Sequence, residues 1–263
     1  MGKRFEGRRA LVTGGSRGIG AALAVRLAAE GADVAVTART LREGDLAGSL
    51  EVTEAAIARH GRLAVVVQAD LADEGQRARI VPEAEERLGG AIDILVNNAA
   101  MASYAPLRVY PQRRARLHFE VNVLAPLELA QAVVPGMAAR GEGWIVNVSS
   151  GTARPWAGPP FELGVLGTKT AVYGASKAAL NRMTNALAAE LYGTGIRVNT
   201  IEPRAAVLSE GAEELIGGRL RPDQIETMDQ MVGATLELCD GPATRTGGEF
   251  VSLDLLAELG IHI

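Results

Sequence analysis

Tyr173 and Lys177 stand four residues apart in the segment Tyr-Gly-Ala-Ser-Lys. Residues at this spacing share one face of a helix, where their Cβ atoms lie roughly 5–6 Å apart. An ammonium group held beside a phenol stabilises the phenolate, so we expect Lys177 to lower the pKa of the Tyr173 hydroxyl. The pair is therefore a candidate acid/base device that exchanges a proton near neutral pH.

A glycine-rich segment near the start of the sequence is a candidate nucleotide-binding turn. Gly14, Gly18 and Gly20 lie between a predicted strand and a predicted helix, in Thr-Gly-Gly-Ser-Arg-Gly-Ile-Gly. In this context a glycine-rich turn lets a pyrophosphate approach the backbone amides at the helix N-terminus. For the glycines by themselves, an ordinary tight turn between a strand and a helix remains the alternative.

The end of the second predicted strand bears on the choice of nucleotide. A free ribose 2′-hydroxyl usually meets a carboxylate about 20 residues beyond the glycines, whereas a 2′-phosphate needs positive charge there. The strand leads into Arg39, and the first acid after it is Glu43. Arg39 and Arg17 could clamp the phosphate through charge-assisted hydrogen bonds, which favours NADP(H) over NAD(H). Two solvated surface arginines are the alternative interpretation.

Short apolar runs alternate with longer amphipathic stretches along the chain. We predict seven strands, at Arg9–Thr13, Asp33–Thr37, Leu63–Gln68, Ile92–Asn97, Trp144–Val148, Arg197–Ile201 and Glu249–Leu253. We predict six helices, at Ile19–Glu30, Thr53–His60, Gln76–Leu88, Arg114–Ala139, Tyr173–Tyr192 and Asp223–Cys239. Pro126 and Pro135 are expected to bend or end the fourth helix. The alternation predicts an α/β fold: one domain over residues 1–263, with a Rossmann-type, doubly wound, seven-stranded parallel sheet and helices on both faces.

Length, charge and composition exclude several classes of protein. The chain has 263 residues, 48% of them hydrophobic, and a formal net charge of −4, without a basic stripe for nucleic acid or a polybasic membrane segment. Its apolar runs are far shorter than the ~20 residues needed to cross a bilayer. The lone Cys239 cannot form an internal disulfide and no apolar signal core is present, so we expect a cytoplasmic protein. His60, His118 and His262 lack paired ligand spacing, so we expect no metal and interpret each as a surface or packing residue.

Two long irregular segments follow predicted strands, at about 151–171 and about 204–222. Ligands of an open parallel sheet bind beyond the carboxyl ends of the strands, so both are candidate substrate loops. The first contains Trp156, Phe161 and Leu163 and is too apolar to lie in water without a partner surface. We expect it to form part of a wall or lid over a hydrophobic carbonyl or alcohol, or to pack on a neighbouring subunit. The second is the expected lid segment.

Seven segments together resemble the short-chain dehydrogenase/reductase family, from Arg9 to about Gly248. They are Thr13 to Gly20, Asp70-Leu71, Asn97-Asn98-Ala99-Ala100, Asn122 in Val-Asn-Val, Ser149-Ser150, Tyr173 to Lys177, and Arg197-Val198-Asn199 leading to Pro203. The resemblance implies an oxidoreductase with a Rossmann fold. It also implies a homodimer or homotetramer, in which the predicted helices Arg114–Ala139 and Tyr173–Tyr192 pair between subunits.

The resemblance also implies roles for individual residues. Tyr173 would be the general acid/base, Lys177 would lower its pKa and hold the nicotinamide ribose, and Ser150 would hydrogen-bond the reacting oxygen. Asn122 would hold a water of the proton relay, Asp70 would recognise the adenine, and Asn98 would border the cofactor cleft. Further cofactor contacts are implied at Gly14, Ser16, Arg17, Gly18, Ile19, Gly20, Arg39, Leu71, Ala99 and Pro203.

Of the neighbouring serines Ser149 and Ser150, only one can face the substrate, because successive residues at a strand end point in opposite directions. Alignment of the motif selects Ser150, and Ser149 is then a turn residue bonded to the backbone.

Three departures from the family pattern concern the substrate side. Tyr173 follows Ser150 by 23 positions, so about ten residues are inserted by the motif spacing. Pro203 is followed by Arg204 where the family commonly has Pro-Gly, and the usual Asp-Gly-Gly is absent near Asp254. Ser209 is offset by one position from a hydroxyl residue that often contacts the nicotinamide carboxamide, which leaves that contact open.

These residues predict an NADP(H)-dependent oxidoreductase that moves hydride between the nicotinamide and the carbonyl or secondary alcohol of an apolar small molecule, such as a steroid- or terpenoid-like ketone. An alternative is reduction of a 3-oxoacyl thioester, because an acidic acyl carrier protein could bind Arg113, Arg114 and Arg116. The other interpretation of these arginines is a solvated face with nearby acids such as Glu120. A non-catalytic NADP-sensing regulator is disfavoured by the complete set of candidate catalytic residues. Dehydratase or epimerase chemistry on nucleotide sugars is disfavoured by the short chain.

Overall fold

A computed structural model describes residues 2–42, 44, 47–163, 166–204, 206–209, 213 and 225–263. The expected substrate loop at 151–171 is therefore described except at positions 164 and 165. Glu43 and most of the expected lid segment at 204–222 lie outside the described residues.

A parallel sheet forms the centre of the fold. The strands are β1 (Arg9–Thr13), β2 (Asp33–Ala38), β3 (Ala64–Gln68), β4 (Ile94–Asn97), β5 (Gly143–Val148), β6 (Ile196–Glu202), β7 (Ala206–Val207), β8 (Ile225–Glu226) and β9 (Glu249–Val251). In the described part of the chain, seven of them form one sheet in the order β3-β2-β1-β4-β5-β6-β9, and β7 pairs with β8. The predicted doubly wound sheet is confirmed, and its order reverses between β1 and β4, where such folds bind ligands.

The central strands are buried on both faces, as their continuous apolar sequences require in a parallel sheet. On one face, Val12 and Val146 belong to one apolar cluster. On the other face, Leu11 and Ile145 belong to a second cluster. All four side chains are fully buried, so helices must cover both sides of the sheet.

Eight α-helices are described: α1 (Gly18–Ala29), α2 (Leu50–Ala58), α3 (Glu74–Leu88), α4 (Gln112–Phe119), α5 (Ala125–Arg140), α6 (Ala171–Glu190), α7 (Met228–Cys239) and α8 (Ser252–Glu258). Side chains of α1, α2, α7 and α8 join the first cluster, and those of α3, α5 and α6 join the second. Several helices begin at side-chain caps: Ser49 accepts from the Val52 amide and Asp73 from the Gln76 amide, which satisfies backbone donors at the helix start.

The fourth predicted helix is continuous over Gln112–Arg140 and contains a π-helical turn at Glu120–Leu124. Pro126 lies in the first turn of α5, just after the π turn, where the regular ladder of hydrogen bonds is already interrupted, and Pro135 lies inside α5 without ending it. By length and composition alone this helix could cross a membrane, but 44% of its most apolar stretch is buried inside the domain. A core helix of a globular domain passes the same test.

The structure differs from the prediction near the C-terminus. The sixth helix was expected to begin at Asp223, but Ile225–Glu226 form a strand and α7 begins at Met228. Thr227 explains the start, because it forms a capping box with Gln230. The last predicted strand is also shorter, since α8 begins at Ser252.

Candidate active site

The candidate catalytic residues meet at the carboxyl ends of the central strands. Ser150 follows β5, Pro203 follows β6, and Asn98 follows β4. Tyr173 and Lys177 lie in the first two turns of α6, which packs beside these ends. The parallel register, which aligns Asn97 with Asn147, brings the residues after β4 and β5 to one edge of the sheet.

Lys177 is almost fully buried, with 1% of its surface exposed. Its ammonium donates to the Val148 carbonyl oxygen at 2.7 Å and lies 5.9 Å from the centre of the Tyr173 ring. Burial disfavours the charged form and lowers the pKa of Lys177 to about 8. The lysine is therefore held in place by a backbone acceptor at the end of β5, with its charge beside the tyrosine.

In the protein chain by itself, the net pKa of Tyr173 is raised, not lowered as the neighbouring lysine led us to expect. Burial raises the pKa of the Tyr173 hydroxyl, the neighbouring phenol of Tyr104 raises it further, and hydrogen bonding with Ser150 acts in the opposite direction. The cost of burying a phenolate outweighs the attraction of a lysine whose own charge is disfavoured by burial. Tyr173 therefore stays protonated to a higher pH than an ordinary tyrosine, in the form that donates a proton.

The two serines after β5 have different surroundings. Ser149 is buried, and its hydroxyl donates to the Asn181 Oδ1 atom at 2.5 Å. Ser150 is half-buried and interacts with the Tyr173 hydroxyl. Its Oγ atom accepts from the Thr152 hydroxyl at 2.9 Å. The structure therefore turns Ser150 towards Tyr173 and Ser149 into the core.

Close packing beside Tyr173 depends on the residue that follows it. A Cβ atom at Gly174 would collide with the Thr152 carbonyl oxygen. Glycine at this position therefore lets the start of the inserted loop lie directly against α6.

Asn122 is fully buried in the π-helical turn. Its side chain accepts from the Met101 amide at 2.7 Å and donates to the Met101 carbonyl at 3.0 Å and to the Ser176 hydroxyl at 2.9 Å. Ser176 in turn donates to the Tyr173 carbonyl oxygen at 2.7 Å. The amide of Asn122 thus ties the loop after β4 to α6.

The glycine-rich turn connects β1 to α1 and packs against the loop after β4. Gly14 has a φ of +67°, and a Cβ atom there would lie 2.8 Å from the Asn98 amide nitrogen and 2.9 Å from the Ala99 Cα atom. Asn98 donates from its side chain to the Thr13 carbonyl at 2.9 Å. Among the described residues, helix α1 begins without a side-chain cap on its first amides. Such a helix start fits a pyrophosphate.

Arg17 and Arg39 lie beyond the ends of two adjacent strands, because Thr13 pairs with Thr37. The Arg17 guanidinium contacts the Thr40 hydroxyl at 3.4 Å, while its buried Nε atom has no hydrogen-bond partner in the described part of the chain. Arg39 is exposed. An unpartnered donor on one strand end and a second arginine on the adjacent strand end fit an anionic group of the nucleotide.

The other predicted cofactor residues surround the same edge. Asp70 follows β3, and its carboxylate accepts from the Ala72 amide at 3.0 Å. Leu71 and Ser16 are buried, while Ile19 and Pro203 are half-buried. Ser209 lies just beyond β7.

The inserted loop is attached at both ends and carries exposed apolar side chains between them. Arg154 forms an ion pair with the buried Glu202 at the end of β6. The Lys169 carbonyl accepts from the Ala105 amide at 3.2 Å. Phe161 and Leu163 are 64% and 46% exposed, so within the described residues no other part of the chain covers them.

A group of aromatic and polar residues surrounds Tyr173 that was not predicted from the sequence. Tyr104, in the loop after β4, meets the Tyr173 ring at 5.9 Å, and His118 meets it at 6.0 Å. His118 was expected to be a surface or packing residue, and it is fully buried. The spacing of four residues between His118 and Asn122 on one helix face was the available signal.

Glu120 is not a neutralising partner of the arginines at the start of α4. Its carboxylate accepts from the buried Arg77 at 2.6 Å. Arg113, Arg114 and Arg116 are exposed.

The sequence and the fold of this chain are similar to those of known proteins. The family model described as short chain dehydrogenase matches residues 8–215. L-xylo-3-hexulose reductase from Hypocrea jecorina is 40% identical over 223 residues, which cover 78% of this chain and 69% of that protein. A short chain dehydrogenase from Burkholderia cenocepacia J2315 in complex with NADP has a TM-score of 0.77 and 34% identity, with 94% of this chain and 97% of that chain covered. A 3-oxoacyl (acyl-carrier-protein) reductase from Agrobacterium tumefaciens C58 with NADP bound has a TM-score of 0.79 and 26% identity, with 94% and 93% covered.

Proposed function

Because this chain belongs to the short-chain dehydrogenase/reductase family and is an oxidoreductase acting on CH–OH and C=O groups, we propose that it is an NADP(H)-dependent reductase of a ketone on an apolar small molecule. The observation that carries this proposal is the meeting of Ser150, Tyr173 and the buried Lys177 at the end of β5. The reaction adds a hydride to the carbonyl carbon and a proton to the carbonyl oxygen, which yields a secondary alcohol.

The chain's own residues supply the proton and stabilise the developing charge. The cofactor supplies the hydride when bound. Tyr173, kept neutral by burial, donates its proton to the carbonyl oxygen as negative charge develops there. Ser150 donates a second hydrogen bond to the same oxygen. The charge of Lys177 then stabilises the tyrosinate that remains after proton donation.

Two arginines support the choice of NADP(H). Arg17 has an unpartnered buried Nε atom and Arg39 is exposed on the adjacent strand end. Positive charge at these positions suits a ribose 2′-phosphate, and no carboxylate immediately follows β2 to accept from a free 2′-hydroxyl. The NADP-bound neighbours are consistent with this choice.

The inserted loop supports an apolar substrate. Trp156, Phe161 and Leu163 expose apolar surface in a segment that begins directly after Ser150. Such surface is stabilised by contact with an apolar ligand or with another subunit.

A second candidate is reduction of a 3-oxoacyl thioester. The exposed Arg113, Arg114 and Arg116 lack the neutralising contact with Glu120 that sequence proximity suggested. A positive surface of this kind attracts an acidic carrier protein. The carrier-bound thioester should then be a better substrate than the same acyl group on a small thiol.

The test is a panel of carbonyl compounds with purified protein, followed by the absorbance of NADPH. The panel contains steroid and terpenoid ketones, 3-oxoacyl thioesters and a ketose. Tyr173→Phe is the matched control, since it removes one hydroxyl and keeps the ring. We expect wild type to turn over an apolar ketone and the control to be slower by about 10²-fold or more. Turnover of the ketose alone would refute the apolar substrate, and equal turnover by the control would refute the role of Tyr173.

A further inference from the structure

His118 is a buried histidine for which the proposed reaction has no use. It is fully buried on α4, and its Nε2 atom lies 2.7 Å from the Tyr110 hydroxyl and 3.2 Å from the Ser103 hydroxyl. The Tyr110 hydroxyl donates to the Ser103 carbonyl at 2.9 Å. Within the described residues, the Nδ1 atom of His118 has no hydrogen-bond partner.

The His118 ring lies against the ring of the candidate proton donor. The centres of the His118 and Tyr173 rings are 6.0 Å apart at an interplanar angle of 62°. The Tyr104 ring approaches Tyr173 at 5.9 Å and 83°. Edge-to-face contacts at these distances are favourable. Two rings from different segments therefore fix the plane of Tyr173, and that plane determines where its hydroxyl points.

The same histidine fixes the loop that carries Tyr104. Asn122, one helical turn after His118, binds both backbone groups of Met101. His118 and Tyr110 hold Ser103 two residues later. The loop after β4 is thus attached at two points immediately before Tyr104, and both attachments come from one face of the same helix.

The neutral form of His118 suits this position. Burial lowers the pKa of His118, and the charge of Lys177 lowers it further, while the backbone carbonyls of Met101 and Ser103 act in the opposite direction. Around the ring, Tyr104 and Tyr110 come from the segment before α4 and Tyr173 and Lys177 from α6. Of these groups only Lys177 carries a charge near neutral pH, so a proton on His118 would place a second cation in the same buried region.

We propose that His118 is a positioning residue: together with Tyr110 and Ser103 it holds the Tyr173 ring and the loop carrying Tyr104 in the geometry that proton donation needs. The inference rests on the proposed role of Tyr173 and assigns a further residue to it. His118 does not exchange a proton with the substrate. Its effect is on the direction of the Tyr173 hydroxyl.

The test compares His118→Phe, His118→Gln and Tyr110→Phe with wild type. Tyr192→Phe is the matched control, because Tyr192 is 78% exposed. The probe substrate is the ketone that wild type reduces fastest in the panel. We expect kcat to fall on the order of tenfold in His118→Phe and Tyr110→Phe, because small misplacements of a reacting group are costly. We expect the Kd of NADPH to stay within about twofold, since neither residue is among the cofactor contacts. Glutamine, which can still bond the Tyr110 hydroxyl, should restore part of kcat.

Two further readouts separate positioning from a general loss of stability. In wild type, kcat should fall at acid pH as His118 takes up a proton, and this acid limb should be missing in His118→Gln. The ultraviolet titration of tyrosinate, with Tyr173→Phe subtracted, should show a displaced Tyr173 midpoint in His118→Phe. Variants with a lower Tm but wild-type kcat, acid limb and Tyr173 titration would overturn the proposal. A fully active Tyr173→Phe would instead overturn the proposed function, so the two failures are distinguishable.

Discussion

Lys177 lies with its ammonium 2.7 Å from the carbonyl oxygen of Val148, at the end of the strand that leads into Ser150. This bond gives a buried cation a fixed place next to Tyr173. Since burial lowers the pKa of Lys177 from 10.5 to about 8, the folded chain loses this proton before the unfolded chain does.

The first prediction concerns the dependence of stability on pH. Between about pH 8 and pH 10.5 the unfolded state holds the Lys177 proton and the folded state does not, so stability contributed by this residue rises with pH. The difference in unfolding free energy between wild type and Lys177→Met should therefore change by about 1–3 kcal/mol in favour of wild type across that window. Below the window this difference should not depend on pH. Denaturant unfolding at several pH values measures the difference. A difference that stays constant up to pH 10.5 would show that the lysine is not desolvated.

The second prediction concerns the two directions of the reaction. Burial raises the pKa of Tyr173, so the proton donor stays intact through neutral pH and the base form needed for alcohol oxidation is scarce. The kcat of ketone reduction should therefore be level from about pH 6.5 to pH 8, whereas that of oxidation should rise with pH. Initial rates in both directions measure this, with Tyr173→Phe expected to lose about 10²–10⁴-fold in each. Oxidation that is already at its maximum at neutral pH would contradict the raised pKa.

The third prediction separates the two serines. Ser150→Ala should lower kcat about 10²-fold, because it removes a donor to the reacting oxygen. Ser149→Ala should leave kcat nearly unchanged and lower the unfolding free energy by about 1 kcal/mol, because it removes the bond to Asn181. Kinetics and denaturant unfolding of both variants give the comparison. The reverse ranking would assign the catalytic contact to Ser149.

Particular residues show why much of this site could be predicted from the sequence and part of it could not. The strand Arg9–Thr13 was predicted with the bounds that the structure has, because a short apolar run buried on both faces ends at a glycine-rich turn. The Ser150, Tyr173 and Lys177 set could be found because each lies in a short, specific motif. The raised pKa of Tyr173 could not, because it depends on burial and on Tyr104, a residue far away in the chain. His118 was missed for the same reason: its partners meet it only after folding.

The fourth prediction tests the nucleotide. Arg39→Ala should weaken NADPH binding about tenfold or more and leave NADH binding nearly unchanged, because only NADPH carries the 2′-phosphate. Arg42→Ala is the matched control, since Arg42 is also exposed on the same loop but pairs with Glu51 at 3.0 Å. Fluorescence titration with both cofactors gives the four dissociation constants. If Arg39→Ala and Arg42→Ala changed the NADPH/NADH ratio to the same extent, the effect would be one of general charge.

The fifth prediction separates a substrate wall from a subunit contact. Trp156, Phe161 and Leu163 are exposed in the inserted loop, and we propose that the protein forms a homodimer or homotetramer. If the loop covers the substrate, the triple serine variant should raise the KM of an apolar ketone about tenfold or more, because each buried apolar side chain contributes roughly 1.5–3 kcal/mol. The subunit mass from light scattering should then match wild type. If the loop packs on another subunit, the mass should fall while KM at the remaining active site stays close to wild type. A variant that changes neither quantity would show that these side chains contact neither the substrate nor another subunit.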